Sequence, residues 1–126
     1  MEAVNFAANW VDIVNKKSVT QILALYAESS ILLPTFSATP AKGHNQIESY
    51  FRRLLSRDAV AVELDDESVG ADNISANITA TYGTYTFFYS EKGMQKRFPA
   101  RFTFVLDTDK SAPIIHHHSS LIPPSS

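Results

Sequence analysis

The stretch Pro113-Ile114-Ile115-His116-His117-His118-Ser119-Ser120-Leu121, read with Pro99-Ala100-Arg101-Phe102-Thr103-Phe104-Val105-Leu106, decides the fold of this chain. The two runs look like the closing hairpin of a curved antiparallel sheet, joined by the turn Asp107-Thr108-Asp109-Lys110. They also hold the densest polar chemistry in the protein. Upstream, Gln95 to Leu106 forms one strand, and Ser90-Glu91-Lys92-Gly93 is a hairpin turn. Before it, Ile74 to Tyr89 is rich in Thr, Tyr, Phe and Ile and predicts a long strand. Gly83 inside that strand predicts a bulge or bend. Gly70-Ala71-Asp72-Asn73 marks a turn. Val60, Val62 and Leu64 alternate with Ala61 and Glu63 as a strand does.

The period changes toward the N-terminus. Phe6, Trp10, Ile13 and Val14 recur at helical spacing within residues 2–16. Ser18 followed by Gln21 has the capping-box pattern and opens a short helix running to about Ala27, with Ile22, Leu23 and Tyr26 toward the core. Ile31-Leu32-Leu33 is a short strand stopped by Pro34, and 34–43 is a loop. Ile47, Tyr50, Phe51, Leu54 and Leu55 form an amphipathic stripe, with Arg52, Arg53 and Arg57 mostly off it. Helices first and then four consecutive strands imply an α+β domain over 1–122 with helices on one face of an antiparallel sheet, and a short tail over 123–126.

Composition narrows the function. The chain has 126 residues, 44% hydrophobic and 19% charged, enough apolar mass for one core. A net charge of −2 argues against nucleic acid as the main partner. The absence of cysteine excludes disulfides, thiolate metal sites and a cysteine nucleophile. No apolar run approaches the roughly 20 residues of a membrane span. Met1-Glu2-Ala3-Val4-Asn5 lacks the basic start and apolar block of a signal peptide, so the expected location is the cytoplasm. The sequons at Asn73 and Asn77 are then accidental. The acidic run Asp65-Asp66-Glu67 reads as solvated carboxylates beside a turn.

Gly43 with Ile47 and Tyr50-Phe51, then Gly83 and Tyr85, then Ala100-Arg101-Phe102-Thr103-Phe104, then His117-His118-Ser119-Ser120, resemble one family. It is the nuclear-transport-factor-two-like (cystatin-like or SnoaL-like) superfamily. Within it, the chain is similar to bacterial stand-alone relatives of the association (hub) domain of calcium/calmodulin-dependent protein kinase. The resemblance implies a cone, in which three helices wrap a strongly bent sheet with a pocket at its open end. It also implies dimers or larger oligomers formed through the outer face of the sheet. Relatives include hubs, binders, isomerases and cyclases, so the fold leaves the function open. Where relatives carry a tryptophan-containing turn before the last strand, this chain has Ala112-Pro113.

The resemblance assigns Arg101, Thr103, His117 and Ser119 to the pocket, and Phe102, Phe104, Ile114, His116 and His118 to the outer, pairing face. A bulge would swap these sets. Arg101 in a concave pocket would take a carboxylate or phosphate bidentately, or else pair with Glu28 or another carboxylate of the fold. Three consecutive strand histidines cannot share one ion, because neighbours point to opposite faces, so no metal and no cofactor are expected. An isomerase or cyclase of this fold needs a base near a phenol. Tyr82, Tyr85 and Tyr89 supply phenols, but residues 74–89 and 95–106 contain no Asp or Glu, leaving a helix residue, Glu63 or His117 as base. The leading expectation is a non-catalytic module that self-associates and binds a small anion through Arg101, Thr103, His117, Ser119 and Tyr85. The alternative is an isomerase or cyclase using His117 and Tyr85. Large apolar side chains on both faces of the 99–106 strand predict that the chain is not a monomer.

Overall fold

A computed structural model describes residues 2–124. Met1 and the last two residues of the expected tail, 125 and 126, lie outside the described residues. A 3₁₀ turn over Ala3–Asn5 leads into helix α1 (Phe6–Asn15), which buries Phe6, Ala7, Trp10, Val11 and Val14. Helix α2 (Val19–Leu23) is capped by Ser18, whose hydroxyl accepts the Gln21 N–H at 3.3 Å. Helix α3 (Gly43–Leu55) buries Ile47, Tyr50, Phe51 and Leu54, the stripe read from the sequence. Gly43 opens it at φ +76°, a backbone position that favours glycine.

The sheet differs from expectation in three ways. It is mixed rather than wholly antiparallel: its seven strands, β1 (Tyr26–Leu33), β2 (Ala41–Lys42), β3 (Asp58–Leu64), β4 (Gly70–Asn73), β5 (Ile78–Glu91), β6 (Met94–Asp107) and β7 (Ile114–Leu121), run in the order β2-β1-β7-β6-β5-β3, with β4 paired to β5. Strand β1 (Tyr26–Leu33) pairs parallel with β7 (Ile114–Leu121) and antiparallel with β2 (Ala41–Lys42). Helix α2 therefore stops at Leu23 instead of running to Ala27, because Tyr26 already belongs to a strand. The expected turn at 70–73 is strand β4 (Gly70–Asn73). Strand β5 (Ile78–Glu91) is longer than its neighbour β3 (Asp58–Leu64), which covers only its C-terminal half, and β4 pairs with the remaining edge.

Gly83 sits at that change of neighbour. The register with β6 (Met94–Asp107) runs through it unbroken, so it is not a bulge. A Cβ there would lie 2.9 Å from Ser68 Oγ, and that hydroxyl accepts the Thr84 N–H at 2.8 Å where neither β3 nor β4 reaches. The hairpin joining β5 and β6 turns on Lys92 (φ 54°) and Gly93 (φ 77°), both left-handed as a two-residue primed turn requires.

Side chains of β5, β6 and β7 alternate between a face covered by the helices and an outward face. Phe104 lies 5.2 Å from the Phe6 ring and 5.5 Å from Trp10, and Tyr85 stacks on Trp10 at 5.5 Å. Phe102, Phe104, Leu106 and Ile114 are therefore core residues, all at most 3% exposed. The expected place of Phe102, Phe104 and Ile114 on an outer pairing face is corrected. On β7 the reason is a bulge: Val105 pairs with His116 and Leu106 with Ile114, so Ile115 is the extra residue and turns outward. No helix among the described residues is long and apolar enough to cross a membrane.

Candidate functional site

Register decides which candidate residues meet. In an antiparallel pair, residues directly opposite share a face. Phe104 pairs with His117 and Phe102 with Ser119, so His117 and Ser119 point inward with the aromatic core. Thr103 pairs with His118 and Arg101 with Ser120, so these four point outward. The structure thus separates Arg101 and Thr103 from His117, Ser119 and Tyr85, against the expectation of a single pocket.

On the inner side the polar groups form a chain. Trp10 Nε1 donates to Tyr26 Oη at 3.1 Å, and Tyr26 Oη lies 2.8 Å from His117 Nδ1. His117 Nε2 lies 3.1 Å from Tyr85 Oη, which donates to Ser119 Oγ at 2.7 Å. Ser119 in turn contacts the Thr35 hydroxyl. Trp10 can only donate, so Tyr26 accepts from it and gives its own proton to Nδ1. Nε2–H then donates to Tyr85. This tautomer leaves no ring nitrogen or phenol proton without a partner. A second proton on His117 would put donors on both ring nitrogens and strand the Tyr26 hydroxyl proton.

The surroundings act in the same direction. His117 is 1% exposed, stacked on Phe104 at 4.0 Å and edge-on to Trp10 at 5.3 Å. Burial first, and then the charges of His116 and His118, push its pKa well below the ordinary histidine value. Burial pushes the phenols of Tyr26 and Tyr85 up, against the lowering effect of their hydrogen bonds with Trp10 and Ser119 respectively, and raises Tyr50 to about 12. The interior therefore holds neutral groups bonded to one another. Beside them, walled by Trp10, Pro34, Thr35, Tyr50, Tyr85 and His117, remains a cavity of about 10 Å³, the space of one water.

On the outward face a groove of about 430 Å³ is lined by Tyr82, Thr84, Arg101, Thr103, His118 and Ser120, with Ser68 and the Gly83 backbone at its side. Its lining contains no carboxylate. Among the described residues, the ion pairs are Arg52 with Glu48 and Lys96 with Glu91, so Arg101 has no acidic partner, neither Glu28 nor any other. The described residues hold no cluster of three or more His, Asp or Glu side chains placed to bind a metal. Sequence reasoning missed Trp10, Thr35 and Tyr50 as members of the inner site. Their role depends on β1 lying beside β7 and on the 34–40 loop crossing above, and neither feature leaves a local signal.

The model of the calcium/calmodulin dependent protein kinase II association domain family matches residues 1–123. A crystal structure from Xanthomonas campestris, described as such an association domain, is 27% identical with a TM-score of 0.84, covering 96% of this chain and 86% of that one. An ntf2-like protein with a cystatin-like fold from Novosphingobium aromaticivorans has a TM-score of 0.77 at 13% identity, covering 99% and 82%. A ketosteroid isomerase-like protein from Erwinia carotovora atroseptica has a TM-score of 0.74 at 16% identity, covering 97% and 96%. These last two share the fold. No curated protein is significantly similar to the chain. The α+β fold of N-terminal helices on a curved mixed sheet is cystatin-like, and the chain belongs to the calcium/calmodulin dependent protein kinase II association domain family.

Proposed function

We propose that this protein is a self-associating module without catalysis of its own, and that it takes a small carboxylate in the outward groove around Arg101. The observation that carries this reading is the state of the interior. His117, Tyr85 and Ser119 are bonded to one another, and only about 10 Å³ remains beside them. Arg101 and Thr103, by contrast, line an open groove with an unpaired guanidinium. Self-association follows from membership of an association-domain family. The apolar row Phe102, Phe104 and Leu106 lies in the core. The outward face offers instead Tyr82, Ile115 and Leu121, which are 44%, 37% and 46% exposed. Light scattering tests the first half: a mass near the 14.0 kDa of one chain at micromolar concentration defeats it. Calorimetry with succinate tests the second. Arg101→Leu removes a charge-assisted contact of roughly 1.5–3 kcal/mol, about one to two decades of affinity. Unchanged affinity with the fold preserved would make Arg101 a bystander.

The second reading, an isomerase or cyclase with His117 as base and Tyr85 as donor, is favoured by one feature. A neutral imidazole between two buried phenols is suited to proton transfer. It requires the interior to open by the volume of a substrate. Turnover of a ketosteroid that is lost in His117→Gln would support it over the first.

A further inference from the structure

Residues 34–40 connect β1 to β2, and Pro34 and Thr35 of this segment line the small inner cavity. The segment begins and ends with Pro34 and Pro40 and carries its own turn: Ser37 Oγ accepts the Thr39 N–H at 3.2 Å and lies 3.3 Å from the Thr39 carbonyl. Two hydrogen bonds tie it to the rest of the described protein. One joins Thr35 to Ser119, and the other runs from the Phe36 N–H to Tyr50 Oη at 3.4 Å, the long limit of such a bond. Open grooves of about 340 Å³ and about 210 Å³ flank it on its outer sides. The small cavity above His117 lies directly beneath Pro34 and Thr35.

What holds the segment down is the Phe36 ring. It meets Phe87, Tyr89 and Phe98 edge-on, at 5.4, 5.7 and 5.2 Å with interplanar angles of 78°, 70° and 86°. Three rings set at steep angles around a fourth make a seat shaped for a flat aromatic face. Arg57 closes the rim, its guanidinium carbon 4.4 Å from the Tyr89 ring centre and 5.7 Å from that of Phe36. Among the described residues Arg57 has no ion pair. Glu91 is ion-paired with Lys96 at 2.8 Å.

We infer that residues 34–40 are a displaceable lid and that Phe36 occupies, in the unliganded protein, the seat of the ring of a small aromatic carboxylate whose carboxylate pairs with Arg57. Phe36 is a tethered competitor for that seat. The ring supplies the shape, the unpaired guanidinium at the rim supplies the charge preference, and the flanking grooves receive the displaced segment. The floor of Tyr85, His117 and Ser119 keeps its internal bonds. This seat lies on the helix side of the sheet and is independent of the groove around Arg101.

The test uses benzoate and the uncharged benzyl alcohol, followed by amide chemical shifts and calorimetry. Wild-type protein is expected to bind benzoate saturably, with shifts centred on 34–40 and on Arg57. Phe36→Ala removes the competitor and should tighten benzoate by about tenfold or more, because the binding-competent fraction rises. Arg57→Gln should weaken benzoate by about tenfold and leave benzyl alcohol unchanged. If Phe36→Ala does not fold, Thr35→Val cuts the latch while keeping the ring, and should tighten benzoate in the same direction. Absence of saturable millimolar binding to the wild type would overturn the inference. So would equal affinity in Arg57→Gln, or shifts confined to Arg101, Thr103 and Ser120. That last result would place the anion in the outward groove and leave the proposed function standing.

Discussion

Lowering the pH should unfold this protein through one buried imidazole, and His117→Gln should remove that sensitivity. In the fold, His117 is 1% exposed and its pKa lies well below the ordinary value, chiefly through burial. In the unfolded chain it titrates near about 6.5. Between the folded pKa and about 6.5 the unfolded state therefore binds one more proton than the folded state. Its contribution to stability is fully present above about 6.5 and is lost as pH falls below that value, by roughly 1.4 kcal/mol per pH unit until the folded pKa is reached. From pH 7.5 to 5.5 this is at most about 1.4 kcal/mol. With an m value of about 1–3 kcal/mol/M in urea, the midpoint falls by roughly 0.5–1.4 M. Glutamine also offers an acceptor toward Tyr26 and a donor toward Tyr85, but it lacks the stacking on Phe104 and the edge contact with Trp10. It should cost about 1–3 kcal/mol at pH 7.5. The measurement is urea unfolding by circular dichroism at pH 7.5, 6.5, 5.5 and 4.5 for both proteins. All other titrating groups are common to the two, so the difference in slope isolates His117. Parallel pH profiles would refute the reasoning and mean that His117 takes up its proton inside the fold.

Further outcomes follow from the same geometry. Phe104→Asp places a carboxylate at a site with 0% exposure, between Phe6, Trp10 and His117, and should cost more than about 4 kcal/mol and unfold the chain; a folded monomer by circular dichroism and light scattering would put Phe104 back on an interface. Gly83→Ala sets a Cβ 2.9 Å from Ser68 Oγ and 3.1 Å from Phe102 Cζ, and should cost about 1–3 kcal/mol in urea unfolding; an unchanged midpoint would mean that the Ser68 bridge yields freely. Protein prepared without a histidine tag should carry no stoichiometric zinc or iron, because consecutive strand histidines diverge; about one ion per chain by elemental analysis, lost in His116→Ala, would overturn this.

The helical stripe of Ile47, Tyr50, Phe51 and Leu54, the Ser18 cap and the long strands on either side of Lys92-Gly93 are local patterns, and each is legible in the residues themselves. The motifs from Gly43 to Ser120 were enough to place the family and the cystatin-like class. Two features lay beyond local pattern. The first is strand pairing: nothing near Tyr26–Leu33 says that it lies parallel to β7, so Tyr26, Trp10 and Thr35 could not be brought to His117 from sequence alone. The second is parity. Alternation tells which side chains share a face within one strand, but not which face is covered. In β7 one extra residue, Ile115, turns Ile114 inward beside His117. The chemistry of Arg101 and of His117 was therefore readable from the chain. Whether they act together was decided only by the register of β6 against β7, which puts one in the core and the other on the outward face, because a shift of one residue reverses every side chain of a strand.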